Sequence, residues 1–123
     1  ALAALVTVPL IVALVALRGR HWSPVLDLAM TEFRVADVGG AHTPLIGLPG
    51  RIGQMPFNQG SHPGPLSFYL LAPSYRGFGS SAWSLEVATV VLHLAAVVSA
   101  LALAWRRGGV RLTIAVGVLL ALT

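Results

Sequence analysis

Three of the chain's four acidic residues, Asp27, Glu32 and Asp37, lie in one short segment, PVLDLAMTEFRVADV, together with Arg34. A carboxylate can act as a general base or hold a divalent metal ion. An arginine can make two parallel hydrogen bonds to a phosphate group. These residue types suit the transfer of a group from a phosphate ester. The alternative is that Asp27 complements a helix dipole and Arg34 makes ordinary ion pairs.

Helical spacing distributes these side chains over different sides of the segment, which we predict to be a helix over 24–38. At about 100° per residue, Asp27 and Arg34 face the same way, and Asp37 lies within reach of Arg34. Glu32 faces another side, so an unbroken helix does not bring Asp27 and Glu32 to one site. The spacing does not choose between Asp27 and Asp37 as the base.

Two histidines, His42 and His62, lie in a glycine- and proline-rich stretch that we expect to be an active-site loop. Residues 39–65 contain seven glycines and five prolines, which predicts irregular structure. His62 and Pro63 lie where this loop returns to an apolar run. Both histidines are therefore candidates for contact with the phosphate or with the molecule that accepts the transferred group. The alternative is that His62 caps the next helix or is hydrogen-bonded within the loop.

The composition predicts an all-α, polytopic membrane protein. Hydrophobic residues make up 56% of the chain and charged residues only 10%, whereas a soluble domain has roughly 25% charged residues. The remaining charge is too sparse to cover a globular surface. The arginines are scattered or lie beside apolar runs, so we expect no nucleic-acid partner. Without cysteine there is neither a disulfide nor a thiolate metal site.

The apolar runs predict the order of the segments. They are a transmembrane helix at 1–17; an outer loop at 18–63 with a surface helix at 24–38; a short re-entrant or membrane helix at 64–79; a transmembrane helix at 83–105; a cytoplasmic loop at 106–111; and the start of a further transmembrane helix at 112–123. Ser23-Pro24 and Gly39-Gly40 are a typical start and end for the surface helix. Both chain ends lie in apolar runs, so we expect the N-terminal part of a larger protein.

Arginine density predicts the orientation. The stretch RRGGVR carries three arginines, and the positive-inside rule therefore makes residues 106–111 cytoplasmic and places 18–82 outside. Arg18 and Arg20 argue against this orientation unless they meet lipid phosphate. The lysine-free, glycine- and arginine-rich composition indicates a bacterial protein of the cytoplasmic membrane.

Two stretches resemble landmarks of polyprenyl-phosphate-dependent, integral-membrane glycosyltransferases. The stretch TEFRVADVGG is similar to the acidic stretch after their first span, which commonly reads Asp-Glu-x-Arg-Tyr-Ala. The stretch SHPGPLSFYLLAPSYRGFGSSAWSLEVATVV is similar to the landmark in which His-Pro-Pro-Leu leads into a helix. Two positions depart from the pattern: Thr31 replaces the usual first acid, and Gly64 separates the paired prolines.

The superfamily, GT-C, contains protein mannosyltransferases and lipid A aminoarabinose transferases. The resemblance implies many transmembrane helices, a non-cytoplasmic active site, a lipid-linked sugar donor, membrane lipid around it, and inversion at the anomeric carbon. It leaves the acceptor open among glycans, lipids and proteins. It also implies a catalytic role for Asp27, Glu32 and Asp37, with Asp27 favoured because it is nearest to the first span. Arg34, His62 and His42 would bind substrate, and a divalent metal, if present, would lie on Asp27 and Glu32.

A second hypothesis is a non-catalytic membrane protein, either a transporter half or a scaffold subunit whose outer loop binds a partner. A transporter is expected to have inverted repeats and broken helices near mid-membrane. A transferase is expected to keep its acids in the outer loop, facing a cavity that a lipid can reach.

Overall fold

The computed structural model describes residues 2–19, 23–50, 60–62 and 64–122. Over these ranges the regular elements are four helices: α1 (Leu2–Arg18), α2 (Leu26–Asp37), α3 (Leu66–Gly77) and α4 (Ala82–Leu122). The all-α prediction is therefore confirmed for the described residues. The chain divides into two compact units, one of Ala1–Arg20 with Thr89–Thr123 and one of His21–Ala88.

The helix α4 is the one described element that is both long enough and apolar enough to cross a membrane. Its length and composition are compatible with membrane insertion. The helix α1 has 17 residues with Pro9 inside it and occupies the segment predicted at 1–17. Its exposed side chains include Val8, Val12 and Val15. The helix α3 has 12 residues, about 18 Å at the usual rise, which is too short to span a bilayer.

Residues 106–111, predicted to form a loop, are helical except at Gly109. Gly109 has φ 58° and ψ −150°, and helix continues on both sides of it. Glycine reaches this conformation because it has no Cβ. One residue therefore interrupts the helix where the arginine- and glycine-rich composition predicted a separate loop.

A helix, α2, lies within the segment 24–38 for which a helix was predicted, with a different start. Val25 is the N-cap residue, and no side chain caps it. Leu26 has φ 52°, so the chain turns just after Pro24 and the predicted Ser23 cap does not form. The predicted end is confirmed, since Gly39 follows the helix with φ 79°, the left-handed conformation that commonly ends helices.

The core of the second unit lies between α2 and α3, which pack against each other. Val35 of α2 is fully buried, and α3 contributes Phe68, Ala72 and Tyr75. The first turns of α4 add buried residues to the same unit: Ser84, Leu85, Val87 and Ala88. This packing fixes α2 and α3 relative to each other.

The stretch 39–65, predicted to lack regular structure, contains a short antiparallel pairing. Pro49 and Ser61 form a β-bridge. The backbone N–H of His62 donates to the carbonyl of Leu48 at 2.8 Å, and the N–H of Gly47 donates to the carbonyl of His62 at 3.2 Å. Residues 51–59, Arg20 and Pro63, which belong to the predicted outer loop and its return, lie outside the described residues.

Candidate functional site

A cavity of about 420 Å³ lies within the second unit. Three parts of the unit supply its walls: α2, the paired residues 47–48 and 62, and residues 64–68 at the start of α3. Its lining residues are Thr31, Gly47, Leu48, His62, Gly64, Ser67 and Phe68. The cavity therefore joins both sequence landmarks, which are about thirty residues apart in the chain.

His62 is held at this cavity by its backbone. Its N–H and carbonyl are both paired with residues 47–48, while its side chain remains exposed. A Cβ added at Gly47 would lie 2.3 Å from the carbonyl oxygen of His62. Glycine at position 47 is therefore what lets the two backbones approach this closely.

Hydroxyl groups supply the other polar chemistry of the cavity. The Oγ1 of Thr31 donates to the backbone carbonyl of Asp27 at 2.8 Å, so its remaining capacity is that of an acceptor. Ser67 lies in the first turn of α3 and is exposed. Together with the imidazole of His62, these hydroxyls suit a ligand that carries hydroxyl or phosphate oxygens.

The carboxylate of Glu32 is tied to α3. The hydroxyl of Tyr75 donates to Oε1 of Glu32 at 3.1 Å, and Tyr75 is only 4% exposed. Burial raises the pKa of Tyr75, and the hydrogen bond to Glu32 and the negative charge of Glu32 raise it further. Tyr75 therefore stays a neutral donor at ordinary pH.

Two further side chains of α3 hold the surrounding backbone, and the sequence alone did not identify them. The hydroxyl of Tyr69 donates to the carbonyl of Pro44 at 3.0 Å. The guanidinium of Arg76 donates to the carbonyls of Ala36, at 3.3 Å, and Val38 at the end of α2. The only signal for Arg76 was its charge in the last turn of α3, which does not specify a partner on another helix.

The three predicted catalytic acids do not converge on the cavity. Asp27 is exposed in the first turn of α2, and Asp37 is half-buried at its end. The backbone carbonyl of Asp37 accepts hydrogen bonds from Gly40 and Thr43. Of the described residues, no acidic one lines the cavity.

The metal site suggested for Asp27 and Glu32 does not fit this geometry. The helix α2 is unbroken between them, so five residues of separation place the two side chains about 140° apart around its axis. Among the described residues no three histidine or acidic side chains are close enough to share a metal ion.

The remaining predicted residues lie around the cavity or away from it. Arg34 is half-buried on α2, and His42 is exposed in the turn after α2, outside the cavity lining. The cavity thus brings together His62 and Thr31, but not His42 or the acids.

Comparisons with protein-family models, with curated proteins and with solved structures found no match. Functional inference therefore depends on the cavity at residues 31, 47–48, 62 and 64–68, and on the two motifs that meet there.

Proposed function

We propose that this chain carries the donor-binding outer loop of a membrane glycosyltransferase, as its N-terminal part. The enzyme would transfer a hexose or pentose from a polyprenyl-phosphate donor to an acceptor on the non-cytoplasmic side of the membrane. The acceptor is a hydroxyl-bearing glycan, lipid or protein.

One observation carries this proposal: the two motifs that resemble such transferases line a common cavity. The first motif contributes Thr31 from α2, and the second contributes His62, Gly64 and Ser67. Nothing in their separation along the chain requires them to meet. A shared cavity of about 420 Å³ is in the size range of small-molecule sites.

The reaction needs one base and groups that hold a phosphate. The acceptor's hydroxyl oxygen forms a bond to the anomeric carbon while the bond from that carbon to the phosphate oxygen breaks. The hydroxyl proton passes to a carboxylate of the protein, and the electron pair of the broken bond leaves on the polyprenyl phosphate. The motif resemblance implies inversion at the anomeric carbon. In an inverting transfer the acceptor attacks this carbon from the side opposite the departing phosphate.

Asp27 is the acid best suited to be the base. It is four residues before Thr31, so the two side chains are about 40° apart around α2 and one turn apart along it. Glu32 and Asp37 are each about 100° or more from Thr31. Arg34 lies on the same side as Asp27 and would pair with the phosphate.

His62 would contact the phosphate or the acceptor from the opposite wall of the cavity. Glu32, on another side of α2 and hydrogen-bonded to Tyr75, would hold the helix that carries the base against α3. His42 would contact substrate from outside the cavity lining. In this proposal residues 18–82 lie outside the cytoplasmic membrane of a bacterium, the arginines near residue 106 lie inside, and the apolar helices span the bilayer.

The test uses the full-length protein in membranes supplied with radiolabelled polyprenyl-phosphate sugars. Asp27→Asn is expected to lower the rate of transfer about 100- to 10,000-fold, the usual contribution of a positioned general base. Glu32→Gln and Asp37→Asn are measured beside it, with expression and membrane insertion as controls.

His62→Ala and His42→Ala form a matched pair, since both histidines are exposed and only His62 lines the cavity. His62→Ala is expected to raise the KM for the donor more than His42→Ala does. If the wild type consumes no donor, or all three acid variants transfer sugar equally well, the transferase proposal fails. The transporter or scaffold hypothesis would then take its place.

A further inference from the structure

A second cavity, of about 460 Å³, lies in the unit that contains Thr89–Thr123. It is formed at the interruption of α4 by Gly109, and both sides of the interruption contribute to its walls. Its lining residues are Ala100, Leu103, Ala104, Arg107, Leu112 and Val116. None of them belongs to the cavity around His62.

The lining has the chemistry of an amphiphile's binding site. Five of the six described lining residues are apolar, and the sixth is Arg107. Leu103 and Leu112 are exposed, so apolar surface lies open beside the cation. Ala100 precedes Arg107 by seven residues, about 10 Å along the helix axis. The charge thus lies near the interruption, and apolar surface continues away from it by about two turns.

We propose that this cavity binds an anionic membrane phospholipid, with the lipid phosphate on Arg107 and an acyl chain against the apolar walls. An arginine can hold a phosphate through two hydrogen bonds. A soluble phosphate would leave the apolar walls exposed to water, whereas an acyl chain covers them. Basic pockets beside membrane helices are suited to lipid headgroups on these grounds.

The cavity distinguishes Arg107 from its neighbours in the RRGGVR stretch. Arg106 and Arg111 are also exposed cations, but neither lines the cavity. If the lipid were held by the general positive charge of this stretch, all three arginines would contribute alike. The proposed site instead requires Arg107 in particular, and it does not depend on the glycosyltransferase proposal.

The experiment reconstitutes the full-length protein in phosphatidylcholine nanodiscs that contain a small fraction of phosphatidylglycerol with a photoreactive acyl chain. Labelled residues are located by mass spectrometry. Labelling is expected at 100–104 and 112–116, with competition by unlabelled phosphatidylglycerol but not by inorganic phosphate. Arg107→Gln is expected to reduce this labelling about tenfold, the effect of losing one charge-assisted hydrogen bond.

Arg106→Gln is the matched control and is expected to change the labelling less than twofold. An equal loss in Arg106→Gln and Arg107→Gln would overturn the proposal in favour of general electrostatic attraction. Equal labelling by a phosphatidylcholine probe, whose headgroup has a phosphate but no net charge, would overturn the proposal, because the cavity would then not select an anionic lipid. Displacement by inorganic phosphate would assign the cavity to a soluble anion. An absence of labelling in the wild type would mean that another part of the protein covers the cavity.

Discussion

The hydrogen bond from Tyr75 to Glu32 bears on the role proposed for Glu32. Oε1 of Glu32 accepts from a tyrosine that is almost completely buried. A carboxylate held in this way rotates less freely, and one of its two oxygens is already engaged in a hydrogen bond. It is therefore better suited to orient a neighbouring group than to accept a proton. Asp27 is exposed, on the side of α2 nearest to Thr31.

The ionisation of Tyr75 reports directly on this pair. Glu32→Gln removes both the carboxylate acceptor and its negative charge, so we expect the pKa of Tyr75 to fall while staying above 10.0 because burial persists. The measurement is a tyrosinate absorbance titration of the full-length protein. For the wild type and for Glu32→Gln, the titration curve of the same protein with Tyr75→Phe is subtracted. The difference then reports the ionisation of Tyr75 alone. Identical Tyr75 curves in the wild type and Glu32→Gln would mean that the hydrogen bond does not form.

The same pKa shift predicts how stability changes with pH. A pKa that is raised on folding stabilises the folded state fully below the unfolded value of about 10, and the contribution is lost as the pH rises through the folded value. The wild type should therefore lose more stability above pH 10 than Tyr75→Phe does. Tyr69→Phe is the matched control, since its hydroxyl donates to a backbone carbonyl and not to a carboxylate.

At the scale of elements, Arg76 joins the end of α3 to the end of α2. Its guanidinium donates to two carbonyls at the C-terminus of α2, where the helix dipole is negative and carbonyls lack partners within the helix. Gly39 lies beside this guanidinium, since a Cβ there would be in ordinary van der Waals contact with Nη1 of Arg76, at 3.6 Å. A cation of one helix thus caps its neighbour.

Arg76→Gln is expected to loosen the last turn of α2. The loss of a charge-assisted cap should cost about 1 kcal/mol at this partly solvated position. Amide hydrogen exchange in the last turn of α2 should then accelerate about fivefold. Arg111→Gln, on α4, is the control and should leave that turn unchanged. Unchanged exchange in both variants would mean that the cap makes no net contribution.

The sequence predicted the existence of these elements better than their joints. The segment PVLDLAMTEFRVADV and the glycines after it indicated the helix and its end, and Gly39 supplies the left-handed residue that follows it. The start at Leu26 was missed because its positive φ is not a preference of leucine. The contact of Glu32 with Tyr75 was missed for a different reason: residues 43 positions apart in the chain meet only after α2 and α3 pack.

The cavity was predicted in part. His62 could be singled out because it lies just before the apolar run. Its pairing with Leu48 depends on glycine at position 47. The position of Gly47 in the sequence did not indicate that another backbone segment approaches it closely. Helical spacing predicted that an unbroken helix keeps Asp27 and Glu32 on different sides, and α2 is unbroken between them.

On the scale of the whole molecule, the absence of cysteine makes the predicted orientation directly measurable. Ala41→Cys, in the exposed turn after α2, and Arg106→Cys, near the interruption of α4, place a single thiol in each of the two units. In intact cells a membrane-impermeant maleimide is expected to label Ala41→Cys, and to label Arg106→Cys only after permeabilisation. The full-length protein needs any cysteine elsewhere in its sequence replaced first.

The opposite labelling pattern would reverse the orientation, and it would place the acids and His62 in the cytoplasm. Labelling of both positions in intact cells would contradict membrane insertion of α4 between them. Either result removes the non-cytoplasmic active site from the proposed function.

The interruption at Gly109 also has a stereochemical consequence. Its φ of 58° and ψ of −150° are close to the mirror image of the polyproline II conformation. Polyproline II itself is a low-energy conformation for an L-residue. No atom lies within 4 Å of a Cβ added there on the L side, so an L-alanine would be opposed by backbone strain and not by crowding. A D-alanine introduced by chemical ligation would adopt the same backbone conformation without strain, because the preferences of a D-residue mirror those of an L-residue. It would lose less entropy than glycine on folding, so position 109 selects for chirality more than for size.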